Sequence, residues 1–215
     1  WEMGASIGKY KTEVVKLPED EVSVELYGAT IRTKVGAPPV QFYGYRTDGV
    51  FATTKAAEEL IAVQVFDEDG DPVMDASGNP TYTYDALHMR SKTGINTYFE
   101  AGDVKFVDMN DDAIIDEKDM VMIGDPNPDF YGRFFTNLNV RNFTLSATVT
   151  CSVGGDIYNY QRMLLESGSR FMNQTVALTN RWTCEGQVTD YPKIVFGDPH
   201  HNARFSDRWI EDGSY

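Results

Sequence analysis

Only two cysteines, Cys151 and Cys184, occur in 215 residues, too few for a disulfide framework. Cys151 sits in an apolar alternation and Cys184 in a polar turn, so the pattern gives a bridge between them little support. No run of about 18 apolar residues exists, which excludes a transmembrane helix. Basic residues are scarce: 19 Lys and Arg against 33 Asp and Glu leave a net charge of −14, and no basic cluster offsets it. That balance argues against a nucleic-acid partner and for cation binding or simple solubility. The nucleophile elbow, phosphate loop, dinucleotide fingerprint and zinc helix are all missing. Of three histidines two are adjacent, His200 and His201; neighbouring side chains diverge on a strand, which argues against a shared metal. What is present, 41% hydrophobic and 24% charged residues, is a globular composition that excludes wholesale disorder. The length suits one β domain or two small ones.

The most informative stretch runs from Asp108 to Asp119, Asp-Met-Asn-Asp-Asp-Ala-Ile-Ile-Asp-Glu-Lys-Asp. It sets oxygen-bearing side chains at loop positions 1, 3, 5, 9 and 12, the spacing that wraps a chain around Ca²⁺. Asp108, Asn110, Asp112, Asp116 and Asp119 are the side-chain ligands of such a loop, and Ile114 supplies the backbone carbonyl. Two departures bear on affinity: Ala113 stands where glycine usually makes the sharp turn, and Asp119 replaces the usual Glu. The flanks exclude an EF-hand, because residues 102–107 alternate like a strand and Gly124-Asp125-Pro126 soon breaks the segment that follows. The stretch is either a Ca²⁺-type loop between β segments or an acidic turn without an ion.

Elsewhere the chain reads as short strands. Trp1, Met3, Ala5 and Ile7 share one face of the first; residues 22–27 and 30–35 form two more. Residues 53–63 carry the clearest helix signal, Thr-Thr followed by good helix formers, and residues 67–81 form an acidic, turn-rich surface loop. A hairpin follows. Phe134, Thr136, Leu138 and Val140 alternate with Phe135, Asn137 and Asn139; after the turn Arg141-Asn142, Phe143, Leu145, Ala147, Val149 and Cys151 alternate with Thr144, Ser146, Thr148, Thr150 and Ser152. Each arm has about the 9–11 residues of a bilayer-spanning strand, with one apolar and one hydroxyl-lined face. A two-faced sheet in a soluble sandwich has the same pattern. Ile157–Glu166 is a short helix or a further strand.

Several segments, in order, resemble one family: residues 44–51 (Gly-Tyr-Arg-Thr-Asp-Gly-Val-Phe), 102–108 (Gly-Asp-Val-Lys-Phe-Val-Asp), 123–130 (Ile-Gly-Asp-Pro-Asn-Pro-Asp-Phe), 155–159, Arg181-Trp182-Thr183 and 206–215. They are similar to those of SusC/RagA-like proteins, the TonB-dependent outer-membrane transporters of Bacteroidetes. The resemblance implies an all-β, mainly antiparallel chain, a segment of a large transmembrane β-barrel with a long extracellular loop region and a short helix. Residues 1–35 would be barrel strand and loop, 36–128 the extracellular region with the Ca²⁺-type loop 108–119, and 129–215 the barrel hairpin with following loop and strands. Plugged barrels of this kind have about 22 strands, so the chain is expected to be part of a longer protein. The implied role is nutrient import at the cell outer membrane, of glycan or peptide fragments, with a SusD-like lipoprotein and TonB as partners and no catalysis. One rival is a soluble Ca²⁺-stabilised β module that binds carbohydrate or protein at the cell surface. A glycosidase is the other, and it requires a carboxylate pair about 5–9.5 Å apart in one cleft.

Overall fold

The computed structural model describes residues 1–215. Secondary structure is mainly antiparallel β with a few short helices. Two compact units are each assembled from segments distant in sequence. The first comprises Trp1–Gly44, Met122–Tyr160 and Phe205–Tyr215; the second comprises Tyr45–Val121 and Gln161–Arg204.

The first unit is built on an open three-stranded sheet in the order Glu2–Gly8, Phe130–Val140, Phe143–Val153. The hairpin register is the one the alternation dictates: Val140 pairs with Phe143 across the two-residue turn, Leu138 with Leu145, and Phe134 with Val149. Ala5 pairs with Phe134 and Ile7 with Gly132 on the other side. Directly paired residues share a face, so Met3, Ala5, Ile7, Phe134, Leu138, Val140, Phe143, Leu145 and Val149 form one apolar surface. The opposite face carries the hydroxyls of Thr144 to Ser152 with Asn137, Asn139 and Arg133. There Gly4 and Gly8 have a specific use. A Cβ at Gly4 would lie 2.5 Å from the Phe135 ring, and one at Gly8 2.5 Å from Tyr131. Each ring thus lies across a glycine, a device that fills the gap a missing side chain leaves on a sheet.

A second sheet of this unit runs Val121–Gly124, Gln41–Gly44, Ala29–Lys34, Glu21–Leu26. Its apolar side supplies Ala29 and Phe42 to a small core closed by Phe205, with Ile31, Ile123, Tyr158 and Ile210 packed around it. The Phe205 ring meets Tyr158 edge-on at 4.9 Å and Phe42 at 6.3 Å.

The second unit holds the larger core: Tyr45, Phe51, Ala57, Leu87, Met89, Phe99, Val104, Phe106 and Ile115. Short ladders surround it. Thr47–Val50 pairs with Val104–Phe106, and His88–Arg90 lies between Asn96–Tyr98 and, in parallel, Ile114–Ile115. The helix expected over 53–63 is a single turn, Thr54–Ala57, capped by the Thr53 hydroxyl, which accepts from Ala56 N–H. Leu60–Gln64 is instead a strand paired with Tyr82–Ala86. Helix formers such as Leu60 and Ala62 are overruled because Ile61 and Val63, β-branched, gain a full ladder from a partner some twenty residues on. The segment after Gly155 resolves into both expected forms, strand Asp156–Tyr158 and helix Tyr160–Glu166.

The acidic loop over 67–81 is exposed yet ordered by an eight-residue repeat: Val-Phe-Asp-Glu-Asp-Gly-Asp-Pro at 65–72, then Val-Met-Asp-Ala-Ser-Gly-Asn-Pro at 73–80. Equivalent positions make equivalent bonds. Asp67 accepts from Asp69 and Asp71 N–H, and Asp75 from Ser77 and Asn79 N–H. Three backbone bonds close the repeat on itself, Val65 N–H to Thr81 O, Thr81 N–H to Val73 O and Val73 N–H to Val65 O.

Candidate functional site

Within 108–119 the backbone makes the sharp turn expected at Ala113. Asp111 and Ala113 both adopt left-handed conformations, φ 59° and 60°, at positions where glycine would be unstrained; each non-glycine there costs about 1–2 kcal/mol. The side chain of Asp108 offsets that strain by accepting three N–H groups, from Asn110 and Asp111 at Oδ1 and from Ala113 at Oδ2. Asp112 Oδ1 accepts from Ile114 N–H and its Oδ2 from the Asn110 amide. Ile114 is held by parallel pairing with His88, so the middle of the loop is tied to the unit's core sheet.

Asp119 is the side chain that sequence position alone would not distinguish. It is fully buried, and its carboxylate accepts from Met109 N–H at 2.8 Å and Asp116 N–H at 2.8 Å. Burial pushes its carboxyl above the ordinary range; the two N–H bonds pull it down, and the Asp108 and Asp112 carboxylates push it up again. The loop therefore brings Asp108, Asp112 and Asp119 close enough to repel. Asp116 Oδ1 caps the 3₁₀ turn Glu117–Asp119 by accepting from Lys118 N–H.

This repulsion has a measurable sign. A carboxyl whose folded pKa lies above its unfolded value binds its proton more tightly when folded, so stability falls as pH rises between those two values. In EDTA, the 215-residue chain is expected to lose stability relative to Asp119→Asn as pH rises above the ordinary Asp value of about 3.9, and added Ca²⁺ is expected to abolish the difference. Denaturant melts across that range check this; parallel pH profiles for the two proteins, with and without calcium, would rule it out.

A second cluster was not legible in the sequence. Glu100, Asp103 and His200 each direct a ligand atom to within 4.8 Å of the others. Asp103 is fully buried; its Oδ2 accepts from Glu100 N–H at 2.7 Å and its Oδ1 from the Asn202 amide at 2.9 Å. Asn202 Oδ1 in turn accepts from Val104 N–H. Lys193 Nζ stands 2.8 Å from Glu100 Oε2 and 3.3 Å from Asp103 Oδ1. Its backbone is set by a bond from its N–H to Gly102 O, beside the Trp182 ring packed on Gly102. No spacing rule links positions 100 and 200; only the fold closes them. Cys151 and Cys184 are both free thiols.

No family model matches the chain. Two receptors of Formosa agariphila do. "TonB-dependent receptor P3" is 28% identical over 222 residues, covering all of this chain and 18% of that protein. "TonB-dependent receptor P26" is 29% identical over 118 residues, 53% of this chain and 11% of that protein. Among solved structures, the RagAB peptide transporter superposes with a TM-score of 0.55 at 21% identity, over 99% of this chain and 19% of that one, a likeness of fold. The chain thus spans less than one fifth of the length of each of these proteins. By sequence over its whole length, and in agreement with its fold, the chain is a homologue of the TonB-dependent receptors.

Proposed function

We propose that this chain forms part of the barrel wall, and an extracellular excursion, of a TonB-dependent transporter that imports glycan or peptide fragments across the outer membrane. The observation that carries the reading is the three-stranded sheet. Its apolar face is open: Phe143 is 81% exposed, Leu145 62% and Val149 62%. A continuous apolar surface of this kind needs a cover, and a lipid bilayer is the cover that suits 11-residue strands with a polar reverse face. A soluble Ca²⁺-stabilised module would bury that face under a second sheet, and no second sheet packs there. In this reading the Arg141-Asn142 turn faces the periplasm, where barrel turns are short, and residues 36–128 belong to the outside. A SusD-like lipoprotein is the partner proposed for the outer opening, and TonB supplies energy through other parts of the receptor. Ca²⁺ bound by Asp108, Asn110, Asp112, Ile114, Asp116 and Asp119 braces the excursion; the support is the left-handed backbone at 111 and 113 and the buried Asp119 set against two further carboxylates.

Adjacent residues on one strand give the test, because they face opposite solvents. In the full-length receptor, Val149→Arg puts a charge into lipid and is expected to destabilise the assembled barrel by about 2–4 kcal/mol near the midplane. Thr148→Arg faces the lumen and is expected to assemble normally. Outer-membrane yield and resistance to urea measure both. Equal tolerance of the two arginines would refute the lipid-facing assignment.

A further inference from the structure

The cluster around Asp103 has an unbalanced charge. Two carboxylates, Glu100 and Asp103, face one ammonium, Lys193; with a neutral imidazole the group keeps one negative charge. His200 supplies the remaining feature. Its Nδ1 is buried and lies 3.0 Å from Asp103 Oδ2, yet out of line for a hydrogen bond, so that nitrogen has no hydrogen-bond partner. A nitrogen and a carboxylate oxygen at this separation without a proton aligned between them suit two ligands on one edge of a metal polyhedron. Ligand bonds to zinc of about 2.0–2.2 Å span edges of this order. The histidine is also firmly held: Asp198 in its loop accepts from Asn202 N–H at 2.8 Å and Ala203 N–H at 2.9 Å, and Asn202 bonds back to Asp103.

We infer that His200 Nδ1, Asp103 Oδ2 and Glu100 Oε2 form a binding site for a divalent transition-metal ion of the zinc type, distinct from the calcium-type loop. An imidazole with two carboxylates and an open fourth position for water is a zinc-type donor set, and imidazole is a poor calcium ligand. Asp103 keeps its Oδ1 for Asn202 while Oδ2 turns to the ion. Lys193 is the competing cation: its ammonium shares Glu100 Oε2, and its displacement toward solvent opens the site. The site therefore depends on ionic competition as well as on ligand geometry.

Zinc chloride titration of the 215-residue chain by calorimetry, in saturating Ca²⁺ to occupy the acidic loop, is the decisive experiment. One zinc per chain is expected. Glu100→Gln and His200→Ala should each weaken binding about tenfold or more, whereas Lys193→Met should tighten it and enlarge the zinc-induced melting shift. Cobalt in place of zinc gives visible absorption bands that report imidazole ligation even if His200→Ala proves unstable, because Glu100→Gln alters an exposed side chain and serves as the second variant. No zinc heat with the parent chain up to millimolar zinc, or unchanged affinity in both Glu100→Gln and Lys193→Met, overturns the assignment.

Discussion

Replacing Asp103 by alanine is expected to destabilise the second unit by about 3–5 kcal/mol, the usual effect of removing one partner of a buried charge pair. The size follows from what is stranded. Glu100 N–H and the buried Asn202 amide lose the acceptor that the fully buried Asp103 provides, and Lys193, largely buried, loses one of its two carboxylates. Each buried unsatisfied donor costs about 1–3 kcal/mol. Asp103→Asn, which keeps the shape and one oxygen, should recover part of the loss. Urea unfolding followed by a probe in the second unit, such as Trp182 fluorescence, measures it. A loss below about 1 kcal/mol would mean the cluster behaves as an exposed ion pair, contrary to its burial.

Phe106→Ala is expected to cost a similar amount, about 3–5 kcal/mol, by a different cause. Phe106 is 1% exposed at the centre of the second unit's core. Its ring meets Tyr45 edge-on at 5.8 Å and Phe99 at 5.7 Å, so truncation removes both aromatic contacts and leaves a cavity in that core. Phe106→Leu keeps most of the volume and should cost markedly less. Equal melting of Phe106→Ala and the parent chain would show that the short ladders, and not this core, hold the unit together. The two substitutions separate polar from apolar support of the same segment, since Asp103 immediately precedes the strand Val104–Phe106.

The hairpin at 130–153 was fully legible, because strict alternation on both arms and a two-residue turn leave a single register that keeps apolar residues on one face. The left-handed turn at Ala113 was legible too, because glycine usually stands at that position of a loop with this spacing. The helix at 53–63 was misread. Its residues favour a helix locally, and the competitor that won, Tyr82–Ala86, lies beyond a loop whose eight-residue repeat brings the strands together. That repeat, with Asp, Gly and Pro recurring at fixed offsets, is the signal by which a paired finger could have been recognised. The burial of Asp119 had no local sequence signal, because burial depends on what the rest of the fold packs over the carboxylate.

The sequence by itself determined the two faces of the hairpin, the oxygen pattern of the acidic loop and the family resemblance that the whole-chain relative bears out. These are local properties, decided by periods of two residues or by ligand offsets within twelve. Tertiary structure alone decided that residues 45–121 close with 161–204, that Leu60–Gln64 is a strand, and that Glu100, Asp103, Lys193 and His200 meet. Each of those depends on which distant segment offers the better burial and hydrogen-bond partners, and a one-dimensional pattern does not encode that competition.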